Sequence, residues 1–158
     1  MITNVQHRGF TLLIAVVLTS VLLSVGLALL DIAYKQVVLS STARQSQYAF
    51  YAADSAMECA LYWDQKQNAF SYSSALSTIT CGAVNIPVTT SVSGGTRTSS
   101  FDIPCADGGI SATVTIYKTN GASVCTGDSA NSCMYANGYN SCSADDARRI
   151  ERGLKVFY

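Results

Sequence analysis

Between Phe10 and Leu30 the chain runs for 21 residues without a charged side chain. No other feature narrows the available folds so far. A helix needs about 20 apolar residues to cross a bilayer core, whereas the apolar part of a cleaved secretory signal is roughly 7–15 residues long. The following stretch, "LALLDIAYK", offers only a poor small-x-small cleavage site, so the run reads as a retained membrane helix. His7 and Arg8 precede it, and Asp31 and Lys35 follow and nearly cancel. The positive-inside bias then puts the N-terminus in the cytoplasm and everything after the run outside.

The cysteines agree with that orientation. Cys59, Cys81, Cys105, Cys125, Cys133 and Cys142 all lie beyond the run, and an even number in a small exported domain reads as a disulfide set. Proximity in sequence favours Cys59–Cys81 and Cys133–Cys142, leaving Cys105–Cys125. Zinc fits less well. No pair has C-x-x-C spacing, and the single histidine, His7, precedes the membrane run. Lys and Arg total 10 and Asp and Glu total 10, so no net charge points to a nucleic-acid groove or a polybasic surface.

Helical periodicity continues past the apolar run. Ile32, Leu39, Ala43, Phe50, Ala53, Met57, Ala60 and Leu61 form a stripe, with Lys35, Arg44, Gln47, Asp54, Glu58 and Asp64 on a polar back. Phe10 to about Gln65 reads as one helix, ~80 Å long at 1.5 Å per residue. After Gln65 the texture changes. "NAFSYSSALSTITCG" reads as a loop. "VNIPVTTSVS" (84–93), Gly94–Gly95 and "RTSSFDIP" (97–104) read as a hairpin. In 110–118, Ile110, Ala112, Val114 and Ile116 alternate with polar residues as in a half-buried strand, and Asn120–Gly121 is a turn signal. Strands are expected at 132–139 and at the C-terminal "RRIERGLKVFY", where Ile150, Arg152, Leu154, Val156 and Tyr158 share one parity. The fold class is α+β: a long N-terminal helix, hydrophobic and then amphipathic, packed on a small antiparallel sheet and braced by disulfides.

Chemistry-bearing residues are sparse. Asp54 and Glu58 are four apart on one helix face, with Arg44 and Lys66 near in sequence, and read as a solvated polar face. Asp128 in "CTGDSANSC" (125–133) supplies one carboxylate, too few for a calcium site. Trp63, Tyr48, Tyr51 and Tyr62 are expected in helix–sheet packing. No G-x-S-x-G, Walker loop or metal-ligand spacing is present. The chain reads as a structural protein without catalytic residues, metal or cofactor.

The stretch "RGFTLL" resembles the class III leader of type IV pilins and pseudopilins, a short basic leader ending in glycine before a phenylalanine that opens a hydrophobic helix. The tract "QYAFYAADSAMECALYW" (47–63) is similar to the helix of PilX-like minor pilins. The resemblance implies cleavage between Gly9 and Phe10 by a prepilin peptidase, N-methylation of Phe10, and a pilin fold. At Ile14 most members carry glutamate. A charge buried in a bilayer or bundle is costly unless paired. In the family that glutamate pairs with the terminal amine of the subunit above, and a tip subunit has none above it. Some minor pilins of the PilX and GspK kinds resemble this sequence in lacking the glutamate. The helix-loosening proline is absent near Asp31, and Gly26 is a mild substitute.

The resemblance thus implies a leader over 1–9, a transmembrane and assembly helix over 10–30, the amphipathic half of that helix over 31–65 and an extracytoplasmic β-rich head over 66–158. Its processing residues are Gly9 and Phe10, and its assembly residues are Ile14 and Gly26. The implied function is that of a minor, tip or initiating subunit of a type IV pilus. The precursor would be single-pass in the inner (cytoplasmic) membrane and the mature subunit would sit in an extracellular filament. Implied partners are other pilins through the helix, the prepilin peptidase and the inner-membrane assembly platform, with nucleic acid or a surface ligand left open for the head. A pseudopilin of type II secretion or competence, and a non-assembling anchored binding domain, are the alternatives.

Overall fold

The computed structural model describes residues 7–105, 109, 111–121, 125 and 130–158, with side chains from residue 10 onward. It is α+β. One helix, α1 (His7–Gln67), precedes seven strands: β1 (Thr78–Cys81), β2 (Val84–Pro87), β3 (Thr89–Ser93), β4 (Thr96–Ile103), β5 (Ser111–Thr119), β6 (Ser132–Tyr139) and β7 (Glu151–Phe157). The chain divides into two units, Met1–Thr42 and Ala43–Tyr158.

In the first unit α1 is long and apolar enough to cross a membrane, and among the described residues none of its apolar window is buried. Its hydroxyls bond back to its own carbonyls: Thr19 to Ala15 (2.9 Å), Ser20 to Val17 (2.8 Å) and Ser24 to Val21 (2.8 Å). That satisfies them without water, as a lipid setting requires. The helix runs unbroken through Gly26.

In the second unit, β3–β4–β5–β6–β7 form a five-stranded antiparallel meander, and β1 and β2 form a separate hairpin. Gly94 and Gly95, both at positive φ (56° and 77°), close the β3–β4 hairpin. Two successive left-handed residues give the turn whose twist matches that of antiparallel strands. Register lines up three rows of side chains beneath the helix. They are Ser99, Ile116, Met134 and Val156; Phe101, Val114, Ala136 and Leu154; and Ile103, Ala112, Gly138 and Arg152. Against them α1 sets Ala49, Ala52, Ala53, Ala56, Met57 and Ala60, all buried. Small side chains let the helix backbone approach the sheet. At Gly138 a Cβ would stand 2.1 Å from the Ala49 carbonyl oxygen and 2.4 Å from the Ala53 nitrogen.

Helix α1 ends where Asn68 takes a left-handed conformation (φ 51°), one that asparagine tolerates better than most residues. The next residues enter the core, and Phe70 stacks on Phe101 with ring centroids 6.1 Å apart.

Several expectations need correction. The stripe does not run from Ile32 through Leu39 and Phe50, which are exposed. The packed face is 49, 52, 53, 56, 57 and 60, a helical series made mostly of alanines. Tyr48, Tyr51 and Tyr62 are exposed rather than packed, and of that group only Trp63 reaches the core, donating its indole N–H to the Thr80 carbonyl at 2.8 Å. The segment 84–93 is not one strand. Pro87 offers no N–H to continue the ladder, so β2 pairs with β1 and β3 with β4. Residues 78–81, expected as loop, are the strand β1.

Cys59–Cys81 forms as expected, with Cα atoms 6.0 Å apart. The other two disulfides are Cys105–Cys142 and Cys125–Cys133, not Cys133–Cys142 and Cys105–Cys125. The reason is strand length. Cys133 begins β6 and Cys142 lies beyond its far end, so the intervening strand holds them roughly 25 Å apart at ~3.4 Å per residue. A disulfide needs Cα atoms within about 7 Å. Cys105 follows the end of β4 and Cys142 the end of β6, and the register Ile103–Ala112–Gly138 puts those ends on the same side of the sheet.

Candidate functional site

Of the residues the sequence singles out, Gly9 and Phe10 lie within the first turn of α1. Ile14 is one turn on from Phe10 and 40% exposed, on a helix whose apolar side chains all face outward here. Gly26 has open space around its Cα. Asp31 and Lys35 pair with each other at 2.7 Å on the exposed surface, so the first polar turn beyond the apolar run is internally neutral. The surface this stretch presents is therefore apolar rather than charged. The Asp128 loop lies outside the described residues.

A second cluster belongs to the head. Beyond those three rows, α1 and the sheet meet through a fourth that is polar throughout. Asp64 near the helix end is 5% exposed. Lys118, the last inward-facing residue of β5, brings its Nζ to 2.5 Å from Asp64 Oδ1 and 2.7 Å from Oδ2. The directed hydrogen bond is the one to Oδ2. The Tyr158 hydroxyl donates to the same oxygen. Burial first, and then the hydrogen bond to the Asp64 carboxylate, push the Tyr158 phenol far above its ordinary 10.0, so it stays a donor. Two backbone hydrogen bonds tie Tyr158 to Ser132 and hold the phenol there. At the opposite end of β7, Arg152 donates to Ser46 Oγ of the helix at 2.7 Å.

Sequence periodicity puts Asp64 on the polar back of the helix, and the structure buries it. The signal that finds this cluster is parity. Lys118 continues the series Ala112, Val114, Ile116, and Tyr158 continues Leu154, Val156, so both must face the helix. A lysine in that position requires an anion on the facing element.

The solvent-side face of the sheet is half-buried by its own aromatics. Tyr117 meets Tyr135 edge to face, and the Lys155 ammonium lies 5.0 Å from the Tyr135 ring and 4.2 Å from Phe157. A shallow apolar cavity of about 160 Å³ opens between Tyr51, Ala52, Ile103, Pro104 and Ala112. Among the described residues, no three His, Cys, Asp or Glu side chains meet as a metal site.

No protein-family model, no curated protein and no solved structure matches this chain.

Proposed function

We propose that this chain is a minor subunit of a type IV pilus, inserted in the membrane as a precursor, cleaved between Gly9 and Phe10, and drawn by its helix into the fibre. The observation that carries the reading is the coupling of "RGFTLL" to one uninterrupted helix. That helix holds the glycine-phenylalanine junction within its first turn, runs on as an apolar rod and continues into a disulfide-braced antiparallel head. A rod of that kind exchanges lipid contact for contact with other helices at little cost, because both surroundings are apolar. Ile14 favours the tip, or an initiating position. A glutamate there would be an unpaired buried charge in a subunit with none above it, and isoleucine avoids that cost. Pseudopilins of secretion or competence systems share these features, and the tip argument applies to them unchanged.

The test is the mass of the N-terminal peptide of the protein recovered from its native membrane. A start at Phe10 bearing one extra methyl group is the expected result. A start at Met1 would make the chain an ordinary anchored domain, and a start beyond Leu30 would make the apolar run a secretory signal. Either of these withdraws the filament reading.

A further inference from the structure

The Asp64–Lys118–Tyr158 cluster is arranged for more than an ion pair. Asp64 and Lys118 come from α1 and β5, 54 residues apart in sequence. Their side chains are 2% and 16% exposed and sit next to the apolar row of Ile116 and Met134. Removing both charges from water has a large desolvation cost that their attraction only partly returns. An amide between the same two side chains carries no charge and removes that cost altogether.

We propose that Asp64 and Lys118 condense to an intramolecular isopeptide bond. The Lys118 Nζ forms a bond to Asp64 Cγ, and one Cγ–O bond breaks. Two of the three ammonium protons leave with that oxygen as water, and the third stays on the amide nitrogen. The balance closes within the pair, and no oxidant or other reactant enters. Proton transfer from ammonium to carboxylate comes first. It yields the free amine, whose lone pair forms the new bond, and the neutral acid, whose hydroxyl can leave as water.

Proximity supplies much of what is otherwise a difficult condensation. The nitrogen already touches both carboxylate oxygens, and a fixed pair reacts at an effective concentration that no free reagent reaches. Tyr158 is the catalytic residue. Its hydroxyl donates to a carboxylate oxygen, where it stabilises the negative charge that develops as nitrogen adds to carbon. It ends the reaction unchanged. Exclusion of water then protects the amide from hydrolysis. The product welds the end of α1 to the middle strand of the meander.

The experiment uses the full chain extracted in detergent from its native membrane, with the three disulfides verified by non-reducing peptide mapping. After reduction and trypsin digestion, the expected product is a branched peptide. It joins the segment containing Asp64 to the one containing Lys118, is lighter by one water than their sum, and lacks cleavage after residue 118. Lys118→Arg keeps the positive charge but forms no such amide. It should retain all three disulfides and lose the branched peptide. Tyr158→Phe should lower the linked fraction in freshly made protein by tenfold or more. Wild-type protein with all three disulfides, ordinary cleavage after Lys118 and no branched peptide after prolonged incubation would overturn the proposal. So would a water loss that persists in Lys118→Arg. The result does not depend on how the N-terminus is processed, so it stands or falls separately from the filament reading.

Discussion

Phe10–Leu39 and Ala49–Ala60 belong to one helix, yet they use apolar residues in opposite ways. The first stretch presents large side chains outward, with Leu22 71% exposed and Phe10 69%. The second hides small ones, and Ala49, Ala53, Ala56 and Ala60 have no exposed surface at all. Large outward side chains suit a partner whose surface can adapt, such as lipid or another helix. Alanines suit a fixed partner that must come close, here a sheet whose Gly138 admits the helix backbone. Side-chain size thus separates a surface open to exchange from one that is permanently committed, where hydrophobicity alone does not.

Substitutions at four places test this contrast. The largest effect is expected at the polar row. Measured against protein that carries no Asp64–Lys118 amide, Asp64→Ala or Lys118→Ala leaves a buried group without its partner and should destabilise the head by about 3–5 kcal/mol in denaturant titrations. Asp64→Leu combined with Lys118→Met should recover most of it. Gly138→Ala comes next. Its Cβ meets backbone rather than a movable side chain, so a loss of about 3 kcal/mol is expected. Full stability in this variant would mean that the helix does not approach the sheet so closely.

Leu22→Lys addresses the other stretch. It should cost about 3 kcal/mol of membrane insertion, read as the fraction of chain that inserts, and leave head unfolding unchanged. A change in head stability would break the separation of roles. The smallest effect concerns Tyr158. Its folded pKa is raised, so the folded state holds that proton more tightly than the unfolded state. The stability it contributes is fully present below the ordinary value of 10.0 and fades as the pH rises beyond it. Tyr158→Phe should flatten that alkaline decline in a pH series of melting curves.

Much of the architecture is legible in the sequence. Alternation along 110–118 and the run 132–139 give two central strands of the meander, and the shared parity of Leu154, Val156 and Tyr158 gives the inward face of β7. Parity names a face but not a partner. The acid that meets Lys118 therefore stays hidden, because Asp64 lies on a helix where Asp31, Lys35, Arg44, Glu58 and Lys66 are exposed. Cysteine proximity misleads for a related reason. Distance along a strand is distance in space, so Cys133 and Cys142, though near in sequence, sit at opposite ends of β6. Alanines carry little hydrophobic signal, and a periodicity argument that follows Ile, Leu and Phe picks the wrong side of the helix around Phe50. The proposed leader motif is local and needs no fold to be read, which is why Gly9 and Phe10 stand out from sequence alone.

The meander carries a consequence for the order of events during synthesis. Each of its strands pairs with its neighbour in sequence, so the sheet can close through short loops as it is made. The helix has no such advantage. Ser46 waits 106 residues for Arg152, and Asp64 waits 94 for Tyr158. The chain emerges N-terminus first, so the alanine face is the earliest part of the head to appear and the last to be covered. Until β7 arrives, a nascent chain offers a narrow groove-seeking ridge to any other sheet in reach. Premature pairing between two unfinished chains is the error this topology invites, and the rate at which the final strand docks sets how long that opportunity lasts.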